Sequence, residues 1–125
     1  MTSFVHTIRW KETPKHIEEI LGRPNHFIPL KGMPARAKPG DFIYLAYRGR
    51  IVGRAVIDWL ERVDWVVHIG SDRREYPAKC LVHYRGGWQD PERFVPFRGY
   101  QNIRYLDKMK LEHLDLEEWS RVEDL

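Results

Sequence analysis

Residues 37–57 read AKPGDFIYLAYRGRIVGRAVI, and this stretch decides which fold class the sequence predicts. Its Lys-Pro-Gly-Asp opening favours a turn, because proline and glycine interrupt regular structure. Residues 41–47 and 51–60 are rich in aromatic and β-branched side chains, which favour strands. The Arg-Gly-Arg run at 48–50 contains the glycine that hairpin turns prefer. Gly53, inside the second strand, indicates a bulge or a close approach of another chain segment.

The N-terminal third predicts one strand, one helix and one long loop. Apolar and polar residues alternate over residues 3–10, which is the pattern of a half-buried strand. Thr13 can cap a helix and Pro14 suits its first position, while Gly22 is a typical helix end. Four prolines fall within residues 22–40. We expect them to stiffen a long loop, and long ordered loops in small domains are often functional.

The C-terminal half predicts more short strands. Polar residues at 70–72 indicate a turn, and the Gly86–Gly87 pair indicates the end of a strand. We expect strands at residues 65–69 and 78–84, a last strand or an extended segment at 100–106, a loop at 88–99, and a short helix containing Leu111, Leu114 and Trp119.

Length and composition indicate one globular domain. The chain has 125 residues, of which 42% are hydrophobic, so residues 1–125 can form a single core. Cys80 is the only cysteine, which excludes an internal disulfide, and its strand-like surroundings favour a buried, inert thiol. No apolar run is long enough to span a bilayer, and residues 1–10 lack the pattern of a signal peptide. We therefore expect a cytoplasmic protein with no membrane partner.

Positive charge is concentrated towards the N-terminus. Residues 1–50 carry nine Lys or Arg and four Asp or Glu, whereas residues 106–125 carry three and seven. A basic half suits a polyanionic ligand, because cationic side chains that contact phosphates release bound counterions. Basic surfaces are also common in proteins that bind no nucleic acid. We interpret the acidic C-terminal segment as a solvated face.

Three segments, in this order, carry a resemblance to PUA-like domains of the EVE and ASCH type. One is a strand that ends in Trp10-Lys11 before the helix at Pro14. Another is the Pro-Gly-Asp hairpin with its Ile-Val-Gly-Arg-Ala strand at 51–55. The last is the Gly-Tyr-Gln-Asn-Ile-Arg-Tyr-Leu run at 99–106. The resemblance implies an α+β fold, a small and mostly antiparallel pseudo-β-barrel with short peripheral helices.

The resemblance also implies a ligand: RNA, DNA or a single nucleotide, with a modified or flipped base held between aromatic walls. Aromatic walls can sandwich a base, and cations can meet its phosphates or its polar edge. No cofactor is implied. The expected nucleic-acid-binding residues are the aromatics Trp10, Tyr47 and Trp88, the cations Lys11, Lys31, Arg36 and Arg98, and His26 in the proline-rich loop.

An enzyme of ASCH type is the alternative, either a nucleoside amidohydrolase or a ribonuclease. The ASCH signature G-x-K-x-x-E-x-R falls on residues 29–36, where Lys31 and Arg36 match but prolines replace the glycine and the glutamate. Some ASCH proteins hydrolyse amides on modified cytosine nucleosides and are thought to need a lysine, a threonine and an acidic residue together. A carboxylate would therefore have to come from Glu12, Asp58 or Glu75, and the sequence does not choose among them.

Other chemistry has little support in the sequence. The six histidines lack the spacing of a zinc site, so we expect no metal. His6, His68 and His83 fall in predicted strands and are expected to be half-buried wall residues. Phe42, Tyr44 and Trp59 are expected to pack in the core or on a barrel face. A protein-interaction domain remains a further possibility, and neither oligomeric state nor catalytic residues can be predicted.

Overall fold

A computed structural model describes residues 3–9, 12–69, 73–91, 96–97, 103–105 and 119–121. Seven strands and one helix lie in these segments. In chain order they are β1 (Phe4–Thr7), α1 (Pro14–Leu21), β2 (Phe27–Leu30), β3 (Phe42–Tyr47), β4 (Arg50–Ile69), β5 (Arg74–Pro91), β6 (Arg104–Tyr105) and β7 (Trp119–Arg121). The described part of the protein is therefore mostly β with one short helix, a small α+β fold.

The predicted hairpin is confirmed as β3 and β4. Tyr47 pairs with Arg50, so the loop has two residues, and both of them, Arg48 and Gly49, have positive φ. This is the backbone that a tight hairpin turn requires. The register shifts beside Leu45, where β4 bulges next to Gly53. A Cβ atom on Gly53 would lie 2.9 Å from the Leu21 side chain, so the predicted bulge and close approach are both present.

Helix α1 begins and ends where the sequence predicts. The Thr13 hydroxyl accepts a hydrogen bond from the His16 backbone N–H at 3.3 Å, and Pro14 is the first helical residue. The backbone N–H of Gly22 caps the end by donating to the Glu18 carbonyl. Ile17 is the buried residue of the helix and packs on the sheet side chains, so α1 covers one face of the sheet.

The strands form one mixed sheet in the order β2-β5-β4-β3-β1-β6, and β7 pairs with β5. β1 and β3 are parallel, whereas every other described pair is antiparallel. The parallel pair needs a connection that returns to the same end of the sheet. That connection carries α1 and β2, and β2 pairs with β5.

The proline-rich segment is not one long loop. Residues 27–30 form β2, which pairs with residues 80–83 of β5, and Pro29 lies within it. Proline lacks a backbone donor and is tolerated on edge strands, and β2 is at the end of the sheet order. The prediction failed because the pairing partner lies some fifty residues away in sequence.

β4 and β5 are longer than expected. The strands predicted at 65–69 and 78–84 are parts of these two long elements. β5 continues through Gly86, whose positive φ coincides with a register shift against β4, so the glycine marks a bulge and not a strand end. Residues 88–91 are strand rather than loop, and Trp119 begins β7 rather than lying in a helix. The predicted turn at 70–72 and helix positions Leu111 and Leu114 lie outside the described residues.

The main core is made of side chains from α1 and from β1 to β5. Its largest fully buried member is Trp88. Cys80 is also fully buried, and burial raises the pKa of its thiol to about 11. The predicted burial of this thiol is confirmed. Within the described residues, no helix is both long and apolar enough to cross a membrane.

Candidate functional site

A cavity of about 550 Å³ opens where β1, α1, β2 and β5 meet. Its volume is in the range of small-molecule and cofactor sites. Much of the wall is apolar, so a ligand inside would lose contact with water. The apolar lining includes Ile8, Ile20, Phe27, Ile28, Leu30 and Met33.

One wall carries a hydrogen-bonded cluster around Glu12. The residue is only 7% exposed, and both oxygens of its carboxylate accept hydrogen bonds. Tyr76 donates its hydroxyl to Oε1 at 2.9 Å, and Nδ1 of His16 lies 2.7 Å from Oε2. The Glu12 backbone carbonyl accepts from the Tyr47 hydroxyl and, at 3.5 Å, from Arg48. Glu12 is thus held from both ends as a buried negative charge.

The Glu12 carboxylate also fixes the tautomer of His16. A carboxylate can only accept, so Nδ1 of His16 must carry the hydrogen that it donates. The Thr13 backbone N–H approaches the same nitrogen at 3.3 Å, but a nitrogen that donates to Glu12 has no lone pair left for Thr13. The Thr13 hydroxyl therefore caps the N-terminus of the helix. The His16 ring does not take part in this cap and instead forms part of the cavity wall.

His6, on β1, also lines the cavity. Burial lowers the pKa of His6 to about 4, and the positive charge of Arg9 adds to the effect. At neutral pH His6 is therefore an uncharged imidazole with one donor and one acceptor nitrogen. Such a group can hydrogen-bond to a polar ligand edge without the cost of burying a charge.

Positive charge lies at the solvent side of the cavity. Arg9 and Lys31 line it and are exposed, which places them at its mouth. Arg23 also lines it, and its guanidinium is 3.5 Å from Nε2 of His26. The pKa of His26 is lowered by burial first and then by the charges of Arg23 and His83. Glu75, also exposed in the lining, is the one acidic residue at the described part of the mouth.

Two of the predicted binding residues, His26 and Lys31, lie in this lining. Arg36 does not. Its guanidinium lies 4.8 Å above the Tyr105 ring, and its backbone N–H donates to the Tyr105 hydroxyl at 3.1 Å. Arg36 thus joins the loop before β3 to β6 and is a structural residue in this arrangement.

Trp88 and Tyr47 are not the aromatic walls that the sequence predicted. Trp88 has no exposed surface and belongs to the core, so it cannot stack on a ligand. Tyr47 is 6% exposed, and its hydroxyl supports the Glu12 backbone from behind the cavity. Both residues lie on strands. The sequence pattern alone does not distinguish a strand face that packs into the core from one that binds a ligand. Trp10, Lys11 and Arg98 lie outside the described residues.

Most residues of the polar wall were not predicted from the sequence. Glu12 was one of three carboxylates considered for catalysis, and the structure distinguishes them. Glu12 and Glu75 line the cavity, whereas Asp58 is exposed and lies 3.9 Å from Arg85. His6 and His83 are half-buried as expected, but His68 is exposed. Nothing in the sequence pattern joins Tyr76 to Glu12, because they come from distant elements.

The described residues contain no cluster of three His, Cys, Asp or Glu side chains arranged to hold a metal ion. The cavity has apolar walls, fixed hydrogen-bonding groups and cations at its mouth.

Comparison with known protein families, with curated proteins and with solved structures found no match to this chain.

Proposed function

We propose that the protein is a binding module that takes a nucleobase, in a nucleotide or a nucleic acid, into the cavity. The observation that carries the proposal is the combination in one enclosure of apolar walls, a fixed carboxylate and exposed cations. A nucleotide has matching parts, because a base has two flat faces and a polar edge, and its phosphate is an anion.

The Glu12 cluster supports a base that presents an amino group. A carboxylate accepts hydrogen bonds from exocyclic amines, as glutamate and aspartate do from N4 of cytosine. Glu12 cannot turn away easily, since His16 and Tyr76 hold its two oxygens. A modification on the amino group would change this contact directly, so the cavity would discriminate between modified and unmodified bases.

The exposed cations support binding of a phosphate next to the base. Arg9 and Lys31 lie at the mouth, and a phosphate placed there would remain solvated. Contacts of this kind weaken as salt concentration rises. The resemblance to PUA-like domains favours the same ligand class.

The test is a titration of the purified protein with the common nucleoside monophosphates, with N4-modified cytidine nucleotides, and with single-stranded RNA and DNA, at two salt concentrations. We expect salt-sensitive binding with a preference for one form of the base. Lys31→Ala should weaken binding several-fold at low salt. Lys38→Ala is the matched control, because Lys38 is an exposed lysine of the same segment that does not line the cavity.

Two results would count against the proposal. One is the absence of binding to every nucleotide probe. The other is an equal effect of Lys31→Ala and Lys38→Ala, which would show that the charge acts through the general surface potential and not at the cavity.

A second candidate function, hydrolysis of an amide on a modified cytosine nucleoside, is favoured by one observation. Thr7, Glu12 and Lys31 line the same cavity, which supplies the three residue types that the ASCH resemblance implies. Water would add to the amide carbonyl, and the amine and the carboxylic acid would leave. Glu12 already accepts two hydrogen bonds from the protein, which suits a fixed acceptor better than a mobile base, so binding remains the main proposal.

Incubation with N4-acetylcytidine decides between the two functions. An enzyme should release cytidine and acetate, and Glu12→Gln and Lys31→Ala should each reduce the rate by at least tenfold. Binding without turnover would remove the hydrolase and keep the binding module.

A further inference from the structure

We infer that the exposed face of Trp59 is a stacking platform for a base adjacent to the one in the cavity, so that the ligand is a single-stranded nucleic acid and not a free nucleotide. This inference rests on the proposed function. It is carried by a row of rings that runs from the cavity to the surface.

The row crosses three neighbouring strands. Phe27 on β2 lies opposite His83 on β5, which lies opposite Trp59 on β4. The indole of Trp59 and the imidazole of His83 are parallel, with centroids 4.2 Å apart and an interplanar angle of 6°. The rings of His83 and Phe27 are 5.8 Å apart, and His26 stacks on Phe27 at 4.5 Å. Because Phe27 and His26 line the cavity, the row ends at the proposed base site.

Trp59 is built as a platform and not as a core residue. It is 46% exposed, which excludes the core, one of the two placements expected for it, the other being a barrel face. His83 supports one face of the indole, and Nε2 of His83 lies 2.9 Å from Oε1 of Glu61, which fixes the imidazole plane. A large apolar ring held flat at the surface loses little conformational freedom when a base stacks on it.

The surroundings suit a phosphate backbone. Arg85 lies two residues beyond His83 on β5 and so projects from the same side of the sheet. Its side chain is 61% exposed, and its guanidinium is 3.9 Å from the Asp58 carboxylate, a loose pair that leaves the charge accessible. Arg23 lies at the other end of the row, beside His26. A strand with one base in the cavity and the next on Trp59 would pass between these two cations.

The test compares homopentamers of each base, in ribo and deoxyribo forms, with the corresponding nucleoside 5′-monophosphates. We expect pentamers to bind more tightly than the monophosphates. Trp59→Ala should weaken pentamer binding about 5- to 100-fold, because base–aromatic stacking contributes on that scale, and should leave monophosphate binding unchanged. Trp59→Phe should recover part of the loss. The ribo and deoxyribo arms show which nucleic acid is preferred.

Trp65→Ala is the matched control. Trp65 is a second exposed tryptophan on β4, 53% exposed, and it lies opposite Ala78 and outside the row. Each variant is checked for folding by its urea midpoint before binding is measured. We expect Trp65→Ala to bind pentamers as the unchanged protein does.

The outcomes separate this inference from the proposed function. If pentamers and monophosphates bind equally, or if Trp59→Ala and Trp65→Ala behave alike, the platform is wrong while the cavity proposal stands. If pentamer binding is lost in Trp59→Ala but unaffected by Lys31→Ala, bases stack on Trp59 and the cavity proposal is wrong. If no probe binds, both are wrong.

Discussion

Glu12 is the residue on which the polar wall of the cavity depends. It is a nearly buried carboxylate that accepts hydrogen bonds from His16 and Tyr76. A buried charge is tolerated only when such partners replace water. The three residues come from the chain before α1, from α1 itself and from β5, so Glu12 also ties these elements together.

Replacing Glu12 with Leu should therefore destabilise the protein. Leucine has no acceptor, so the hydrogen bonds that His16 and Tyr76 donate to the Glu12 carboxylate would both be lost in a nearly buried wall. We expect the free energy of unfolding to fall by about 1–3 kcal/mol, the usual cost of a buried polar group left unsatisfied. Urea denaturation measures it. Glu18→Leu, at an exposed position of α1, should change stability by less than about 0.5 kcal/mol. Equal effects of the two substitutions would contradict this role for Glu12.

His6 should make stability depend on pH. Its pKa in the folded protein, about 4, lies below the ordinary value of 6.5, so folding favours the neutral imidazole. The contribution of His6 to the free energy of unfolding is then fully present above pH 6.5 and is lost as the pH falls towards 4. We expect His6→Gln to remove about 1–3 kcal/mol of this acid sensitivity, and His68→Gln, at an exposed histidine that does not line the cavity, is the control for the loss of a histidine. An NMR titration of the His6 ring near pH 6.5 would contradict the account.

At the scale of the element, the long β4–β5 hairpin determines where the site lies. β5 pairs with β2 along one edge and with β4 along the other, so it connects the cavity wall to the Trp59 row. The bulges at Gly53 and Gly86 keep both strands in one sheet while the register changes. α1 then fits against the sheet above Gly53.

Gly53→Ala tests this packing of α1 on the sheet. The added methyl group would lie 2.9 Å from the Leu21 side chain and 3.4 Å from the Gln89 carbonyl oxygen. We expect a loss of about 1 kcal/mol in the free energy of unfolding, at the low end of overpacking costs, because the nearest atom is a terminal methyl group of Leu21 that can move aside. Gly32→Ala is the control, because its added methyl group meets nothing within 4 Å. If the two alanine variants are equally stable in a urea titration, the contact between α1 and the sheet is not as close as described.

At the scale of the whole molecule, sequence patterns predicted the elements that depend only on residues close together in the chain. The β3–β4 hairpin and α1 follow from residues within a few positions of each other, such as Thr13 with Pro14 and Arg48 with Gly49. The strand β2 and the parallel pairing of β1 with β3 depend on partners far away in sequence, and no local pattern reports them. The pseudo-barrel and the family resemblance stay predictions.

The site was predicted only in part for the same reason. Lys31 and His26 were found because the segment around them is unusual in sequence. Glu12, His16 and Tyr76 form a site only once three elements are packed together. Trp88 and Trp59 are both strand tryptophans, and only the packing shows that one is fully buried and the other is 46% exposed.

The most direct test of the central claim is an NMR titration of the ¹⁵N-labelled protein with nucleoside monophosphates, followed through backbone amide shifts. We predict that the shifts concentrate on the cavity lining, at residues 6–9, 26–33 and 75–77, with saturation at a single affinity. Shifts scattered over basic surface residues, with the lining unchanged, would contradict the claim that this cavity is the ligand site.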